Sequence, residues 1–367
     1  MEEAEHIIKV GYHMKLIKPG INIDFLGKRK MAFTLSVVLV LATCVLLIWR
    51  GGPNFGVDFS GGVLIQAKLD TVQTPSDIRE ALEPIQLQDS IIQEFGGEKD
   101  NEYLIRVRRT DIQLTGLSEE VKRALINRFG EGVEIRRVEM VGPKVGKDLR
   151  QKALFAIFYA ILFIAIYISG RFEFKWMMSI IMALALFLTV YLASGFGISV
   201  TWLILFALLV TIGLCWFLNL KYAMGAIIAL IHDVVITVGA FALTDREISL
   251  AIIAAFLTIV GYSLNDTIVV FDRIRENLGR FRRRRFEEVI NASINETLSR
   301  TILTSTTTLM VVVALFILGG GVIHDFAFAL LVGVIVGTYS SIFVASPILL
   351  LWEGRTSGRF NIGKGSP

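Results

Sequence analysis

The chain has 367 residues, 54% of them hydrophobic and 19% charged, with a formal net charge of +4 and a mean hydropathy of +0.63. Soluble domains hold about 45–50% apolar and about 25% charged residues, and the charge present here is confined almost entirely to 1–30, 50–152, 272–300 and a short tail. A soluble globular protein and a disordered one are both excluded, and the positions of Lys and Arg say more than the small net charge.

Residues 1–30 are predicted to form a cytosolic N-terminal segment. No removable signal peptide is expected, because the first apolar run starts at Met31 and is long enough to span. A helix rises about 1.5 Å per residue, so about 20 apolar residues cross a hydrocarbon core of about 30 Å. The charge-free run 31–49, ending at Arg50, is the first such span.

Residues 51–152 then form an extracytoplasmic domain. Val63, Ile65, Ala67 and Leu69 alternate along the chain, as do Tyr103, Ile105 and Val107, the pattern of half-buried strands. Further strands are expected around Ser90–Phe95 and Val133–Val138. Thr74-Pro75-Ser76-Asp77 offers a side-chain cap, a first-turn proline and an acid three residues on, which together start a helix. Ser118-Glu119-Glu120 opens a second helix that Gly130 stops. The order βαββαβ predicts a ferredoxin-like α+β fold, which supports no functional claim by itself.

Membrane helices are predicted over 153–271. Residues 153–170 are free of charge, and so are 176–220, a run twice too long for one helix. Ser194-Gly195-Phe196-Gly197 is read as the turn of a hairpin with spans at 176–193 and 199–218. Spans at 222–244 and 248–271 follow. Residues 272–300 come next, then two spans at 301–319 and 326–352, and a tail at 353–367. Eight spans place both termini on one side. The short loops and ends on that side hold twenty Lys and Arg against one, Arg246, on the other, so the positive-inside rule makes both termini cytosolic. In 272–300, Arg282–Arg285 precede Phe286, Val289, Ile290 and Ile294, which share a helical face. This segment is expected to lie on the cytosolic surface with its basic side toward anionic lipid, and not to bind nucleic acid.

An internal repeat interrupts the helices. Phe172-Glu-Phe-Lys175-Trp-Met-Met178 returns as Leu218-Asn-Leu-Lys221-Tyr-Ala-Met224, a shift of 46 residues, and Ala183-Leu184 matches Ala229-Leu230. The segment 176–218 reads as a duplicated or inserted pair of spans, with chance similarity as the alternative. The first copy has Phe187 where the second has Asp233, so it cannot share that polar chemistry.

Four polar motifs stand out. Gly56-Val-Asp58-Phe-Ser-Gly61-Gly62 combines residues that allow a sharp turn with an acid able to cap it, and is read first as a junction between membrane and domain. Asp266 lies within a span, where a carboxylate costs roughly 2.5–3.5 kcal/mol on insertion scales. Protonation or a cation relieves that cost, which suits a proton carrier; polar glue between helices is the alternative. Arg300 heads a hydroxyl-rich stretch, Thr301 and Thr304 through Thr308, and is either an interface anchor or the partner of Asp266. His232-Asp233 sits deep in another span and is again a proton-relay or packing pair. Cys44 and Cys215 lie in apolar runs and make no disulfide framework; Cys/His metal spacing is absent. No GxxxxGK[ST] phosphate loop occurs, so no cofactor is expected and the energy source is an ion gradient or a separate ATPase.

These motifs resemble a known family. Gly56-Val-Asp-Phe-Ser-Gly-Gly62, Val141-Gly-Pro-Lys-Val-Gly146, Ala229-Leu-Ile-His-Asp233, Gly261-Tyr-Ser-Leu-Asn-Asp266 with Asp272-Arg-Ile-Arg-Glu-Asn277, and Ser299-Arg-Thr-Ile-Leu-Thr-Ser305 are similar to SecF, the smaller half of the bacterial SecD–SecF accessory of the Sec translocase. The resemblance implies an all-α membrane bundle, half of an RND-type transporter, with an extracytoplasmic ferredoxin-like domain. It implies a non-enzymatic, proton-driven role late in preprotein export across the bacterial inner membrane. Asp266 and Arg300 would lie on the proton path beside SecD, with Asp233 as a further relay residue and Asp58, Gly61 and Gly62 as the junction. Implied partners are SecD, the SecYEG channel, the unfolded preprotein and the lipid bilayer, with YajC as a further candidate. The family normally has six spans, so 176–218 is a departure. Competing readings are an RND-type small-molecule exporter half, which usually carries two outer domains, and a non-transporting scaffold; an intramembrane protease fits poorly.

Overall fold

The computed structural model describes residues 22–95, 101–107, 116–173, 176–194, 200–281 and 283–352. The expected turn at 195–197 and most of the two terminal segments lie outside the described residues. No charge interrupts α1 (Arg29–Arg50) between Lys30 and Arg50, and the helix stops at Gly51 in the left-handed region, φ +76°.

A short helical turn, α2 (Val57–Ser60), leads into the outer domain, whose elements are β1 (Gly62–Lys68), α3 (Pro75–Leu82), β2 (Ile91–Phe95), β3 (Glu102–Val107), α4 (Leu117–Phe129) and β4 (Glu134–Val141). The strands form one antiparallel sheet in the order β2-β3-β1-β4, the ferredoxin-like arrangement the element order predicts. Ile65 and Ile105 face each other across β1 and β3 and are buried against Ile78, Leu82, Val121 and Leu125 of the two helices. Thr74 and Asp77 form the expected capping box, and the bonds from Thr74 hold the Asp77 carboxyl below its ordinary range. The second helix starts differently from expectation: Gly116, at φ +105°, precedes it, and no side chain caps it.

The membrane part consists of α5 (Pro143–Glu173), α6 (Trp176–Ser194), α7 (Val200–Phe217), α8 (Lys221–Leu243), α9 (Leu250–Arg280), α10 (Phe286–Leu318) and α11 (Gly321–Ser340). The last continues through a π-helical turn, Ser341–Ala345, toward Trp352. Of the eight spans expected, six helices are long and apolar enough to cross a membrane; α6 and α7 are apolar but provide shorter runs.

The segment 272–300 is not a separate surface helix. At 31 and 33 residues, α9 and α10 are each about 46–50 Å long and outrun a core of about 30 Å, so the hairpin projects beyond it. The apolar face is buried in protein: Val289 is fully buried, and Ile290 and Ile294 pack in the same core as Ile274 and Tyr222. Asn291 and Asn295 bind the backbone of Ile23 and Phe25, and Arg29 pairs with Glu287, which ties the N-terminal approach to α10.

The hairpin of α6 and α7 leaves the ends of α5 and α8 in contact. Glu173 Oε1, at the end of α5, accepts the Tyr222 N–H in the first turn of α8 at 2.9 Å, and Phe172 stacks on Tyr222 at 5.3 Å. The chain therefore departs and returns to the same place, while α6 and α7 add Met182, Leu186, Ile204 and Ala207 to the core. Removing 176–221, which joins Lys175 to Tyr222, should leave a protein that inserts and melts cooperatively, with a lower Tm from the lost packing. Loss of the cooperative melt in detergent would show that the hairpin is integral.

Candidate functional site

Asp233 and Asp266 lie inside the bundle of α8 to α11, 1% and 3% exposed. Asp233 is on α8. Its Oδ1 lies 2.9 Å from His232 Nδ1, and its Oδ2 accepts Ser263 Oγ of α9 at 2.5 Å and Ser340 Oγ of α11 at 2.8 Å. Three helices thus converge on one carboxylate. The His232 ring stacks on Tyr339, centroids 6.1 Å apart, and Tyr339 Oη donates to the Ala32 carbonyl of α1 at 2.7 Å. His232 Nε2 is buried with no hydrogen-bond partner among the described residues.

Asp266 sits one turn beyond Ser263 on α9. Its Oδ2 accepts Ser305 Oγ of α10 at 3.4 Å, and Ser305 Oγ lies 2.7 Å from Thr338 Oγ1 of α11. The two clusters are neighbours along α9 and α11: Ser263 and Ser340 donate to Asp233, while Asp266 and Thr338 lie on either side of Ser305 of α10. Close packing makes this possible. A Cβ at Gly337 would stand 2.9 Å from Ser263 Cβ, so only glycine lets α11 approach α9 here. A π-helical turn, Ser341–Ala345, follows Ser340 at this level, a feature common at functional sites, and Ser346 Oγ donates to the Ser341 carbonyl at 2.8 Å.

Of the two places expected for Arg300, the structure gives it the outward-facing one. It is exposed and forms no ion pair with Asp266 among the described residues, although its charge lies within electrostatic reach. The reason is helical phase. Arg300 shares a face with Thr304 and Thr307, whose hydroxyls bond back to carbonyls of their own helix, whereas Thr301 and Ser305 turn inward and are buried. Of the hydroxyl-rich stretch, Ser305 is the one bonded to Asp266.

The junction motif lies at the other end of α9. Asp58 Oδ2 accepts the Leu250 N–H at 2.7 Å. Gly56 N–H donates to the Ile248 carbonyl at 3.0 Å, and Ile248 N–H to the Asn54 carbonyl at 2.7 Å. Gly61 has φ +72° and ψ 165°, a region open essentially only to glycine, and an added Cβ would lie 2.9 Å from Pro143 Cα. Gly62 also has positive φ, +122°. Sequence reasoning missed Ser340 and Thr338, which sit within an apolar run with no charge to flag them. It also missed Arg106, which the alternation of β3 assigns to the face away from the domain core.

The model of the SecD/SecF protein export membrane protein C-terminal family matches residues 121–217 and 214–355, and that of the SecD/SecF GG motif matches 47–71. A protein translocase subunit SecF of Magnetococcus marinus is 41% identical over 349 residues, 93% of this chain and 95% of its own. The chain belongs to the SecD/SecF family of protein export membrane proteins. Another SecF, from Calditerrivibrio nitroreducens, is 40% identical over 346 residues, 92% of this chain and 96% of its own. The crystal structure of SecDF from Thermus thermophilus superposes with a TM-score of 0.68 at 29% identity over 91% of this chain; the chain spans 39% of that structure's length. Asp58, Gly61 and Gly62 fall within the matched GG motif. The two matches to the C-terminal SecD/SecF model overlap at 214–217, and the first of them includes 176–217.

Intramembrane hydrogen bonds contribute about 0.6 kcal/mol on average and up to about 1.7 kcal/mol. Ser340→Ala should therefore lower unfolding stability by about that much, since Asp233 keeps Ser263 as a donor. Gly337→Val should cost more, because the backbone of α11 must withdraw from α9. Detergent-titrated unfolding of both variants checks the ranking, and equal losses would contradict the close-approach account.

Proposed function

We propose that this multi-pass SecF-family protein acts in export by passing protons through the bundle, with Asp266 as the principal carrier, Asp233 as a second station and Arg300 as the charge that tunes Asp266. The observation that carries this reading is the pair of buried carboxylates held by hydroxyl donors from α9, α10 and α11, with no ion pair on Asp266 among the described residues. Ionisable groups at membrane depth are costly and belong by default to ion pathways. A hydroxyl can donate to a carboxylate and accept from a protonated one, so Ser305 can serve both states of Asp266, which a fixed cation cannot do equally well.

Exposed apolar residues of α10, among them Leu303, Met310, Val311 and Ile317, lie on the helix that also exposes Arg300. This face suits a SecD-type partner, which would bring further polar groups beside Asp266. The family and the charge distribution support a wider reading: both termini in the cytosol of a bacterial inner membrane, operation with SecYEG and YajC, and an unfolded preprotein as the substrate.

Asp266→Asn keeps the shape and removes the titratable proton. It should abolish the gradient-dependent part of preprotein export in inverted vesicles, at least about a tenfold loss if chemistry at this site limits the step, while co-purification with SecD persists. Arg300→Lys, which keeps the charge, should retain a substantial part. Wild-type export by both variants would overturn the proton-carrier reading.

A further inference from the structure

We infer that Arg106 and Asp58 are positioning residues: they clamp the outer domain to the first turn of α9, so that a tilt of the domain is delivered to the helix carrying Asp266. The inference rests on the proton-carrier reading for what is transmitted, and on the geometry alone for the clamp.

A helix N-terminus leaves four N–H groups without intrahelical partners, and a serine at the cap normally serves one of them locally. Ser249 occupies that position in α9 but makes no side-chain cap bond. The carboxylate of Asp58, 192 residues earlier in sequence, accepts the Leu250 N–H at 2.7 Å instead. An anion is favoured there by the helix dipole. The start of α9 is thus completed by the base of the outer domain.

Arg106 makes a second attachment. It lies on β3, which has a strand on each side, and points from the sheet face opposite the domain core. A position of that kind is ordinarily solvated, yet Arg106 is 1% exposed. Its guanidinium pairs with Glu247, in the loop between α8 and α9, and also reaches Asn54 Oδ1 and the Phe55 carbonyl at 3.3 Å each. A buried arginine is tolerated only with its partners in place, so the sheet cannot move away from Glu247 without stranding a charge. The backbone pairing of Ile248 with Asn54 and Gly56 lies between the two attachments. Downstream, α9 runs as one helix to Arg280, and Asp266 follows Leu250 by sixteen residues, about 24 Å along a rigid rod.

The test uses the full chain in nanodiscs, with Cys44 replaced by serine and spin labels at Asn127 of α4 and Leu318 of α10. The parent should give a narrow distance distribution. Arg106→Gln and Asp58→Ala should each broaden it by at least about twofold, since domains joined by small interfaces move by default. Glu247→Gln combined with Arg106→Gln should add nothing to either alone, and exchanging the pair (Arg106→Glu with Glu247→Arg) should restore the narrow distribution, which separates clamp loss from misfolding. Unchanged widths in Arg106→Gln and Asp58→Ala, or failure of the exchange to restore them, would overturn the clamp. Asp266→Asn should then shift the mean distance in the parent and not in Arg106→Gln. An equal shift in both backgrounds would overturn transmission through the clamp. Broadening as expected with no shift from Asp266→Asn in any background would keep the clamp as a joint and count against the proton-carrier reading.

Discussion

A carboxylate in the interior of a membrane bundle must be hydrogen-bonded by neighbouring helices, and the packing of this protein is organised around that demand. Asp233 draws one hydroxyl each from α9 and α11, and Asp266 draws one from α10. These donors are short, so the helices must come close. Gly337 permits the approach of α11 to α9, and the π-helical turn at Ser341–Ala345 follows directly after the donating Ser340. The same geometry leaves the donors able to serve a charged or a neutral acid, because hydroxyl groups both donate and accept.

The outer domain is fastened to this bundle from the top of α9. Its sheet faces two ways: one face builds the domain core with α3 and α4, and the other presents Arg106 to the loop that starts α9. Gly61, in a backbone region that side chains avoid, brings β1 against the start of α5. The junction is therefore a packed joint with specified angles, and polar residues of the bundle and of the domain meet on one helix.

The inserted hairpin stands apart from both. It packs on the α5 side, adds apolar surface and carries Phe187 where the second copy carries Asp233. Because Glu173 and Tyr222 still meet, an insertion of this kind can be accepted without disturbing α8, whose register sets the position of Asp233.

Hydropathy and spacing were enough to place the six long apolar spans, the βαββαβ order and the capping box at Thr74, because each is a local pattern of burial or turn chemistry; the two further spans expected at 176–193 and 199–218 form shorter apolar runs. They were also enough to single out Asp233 and Asp266, since charge in apolar surroundings is visible in one dimension, and Asp58, since it sits among turn-forming glycines. Phase and partnership were decided only in three dimensions. Arg300 and Ser305 are five residues apart, yet one is exposed and the other faces Asp266. The amphipathic stretch after Arg285 reads as a separate helix on the cytosolic surface with its basic side toward lipid, but it is the first part of α10 and its apolar side is covered by protein. Ser340, Thr338 and Arg106 carry no local mark at all, because their roles depend on which helix or loop arrives opposite them. The sequence sets how costly each group is to bury; the tertiary structure sets which neighbour relieves that cost.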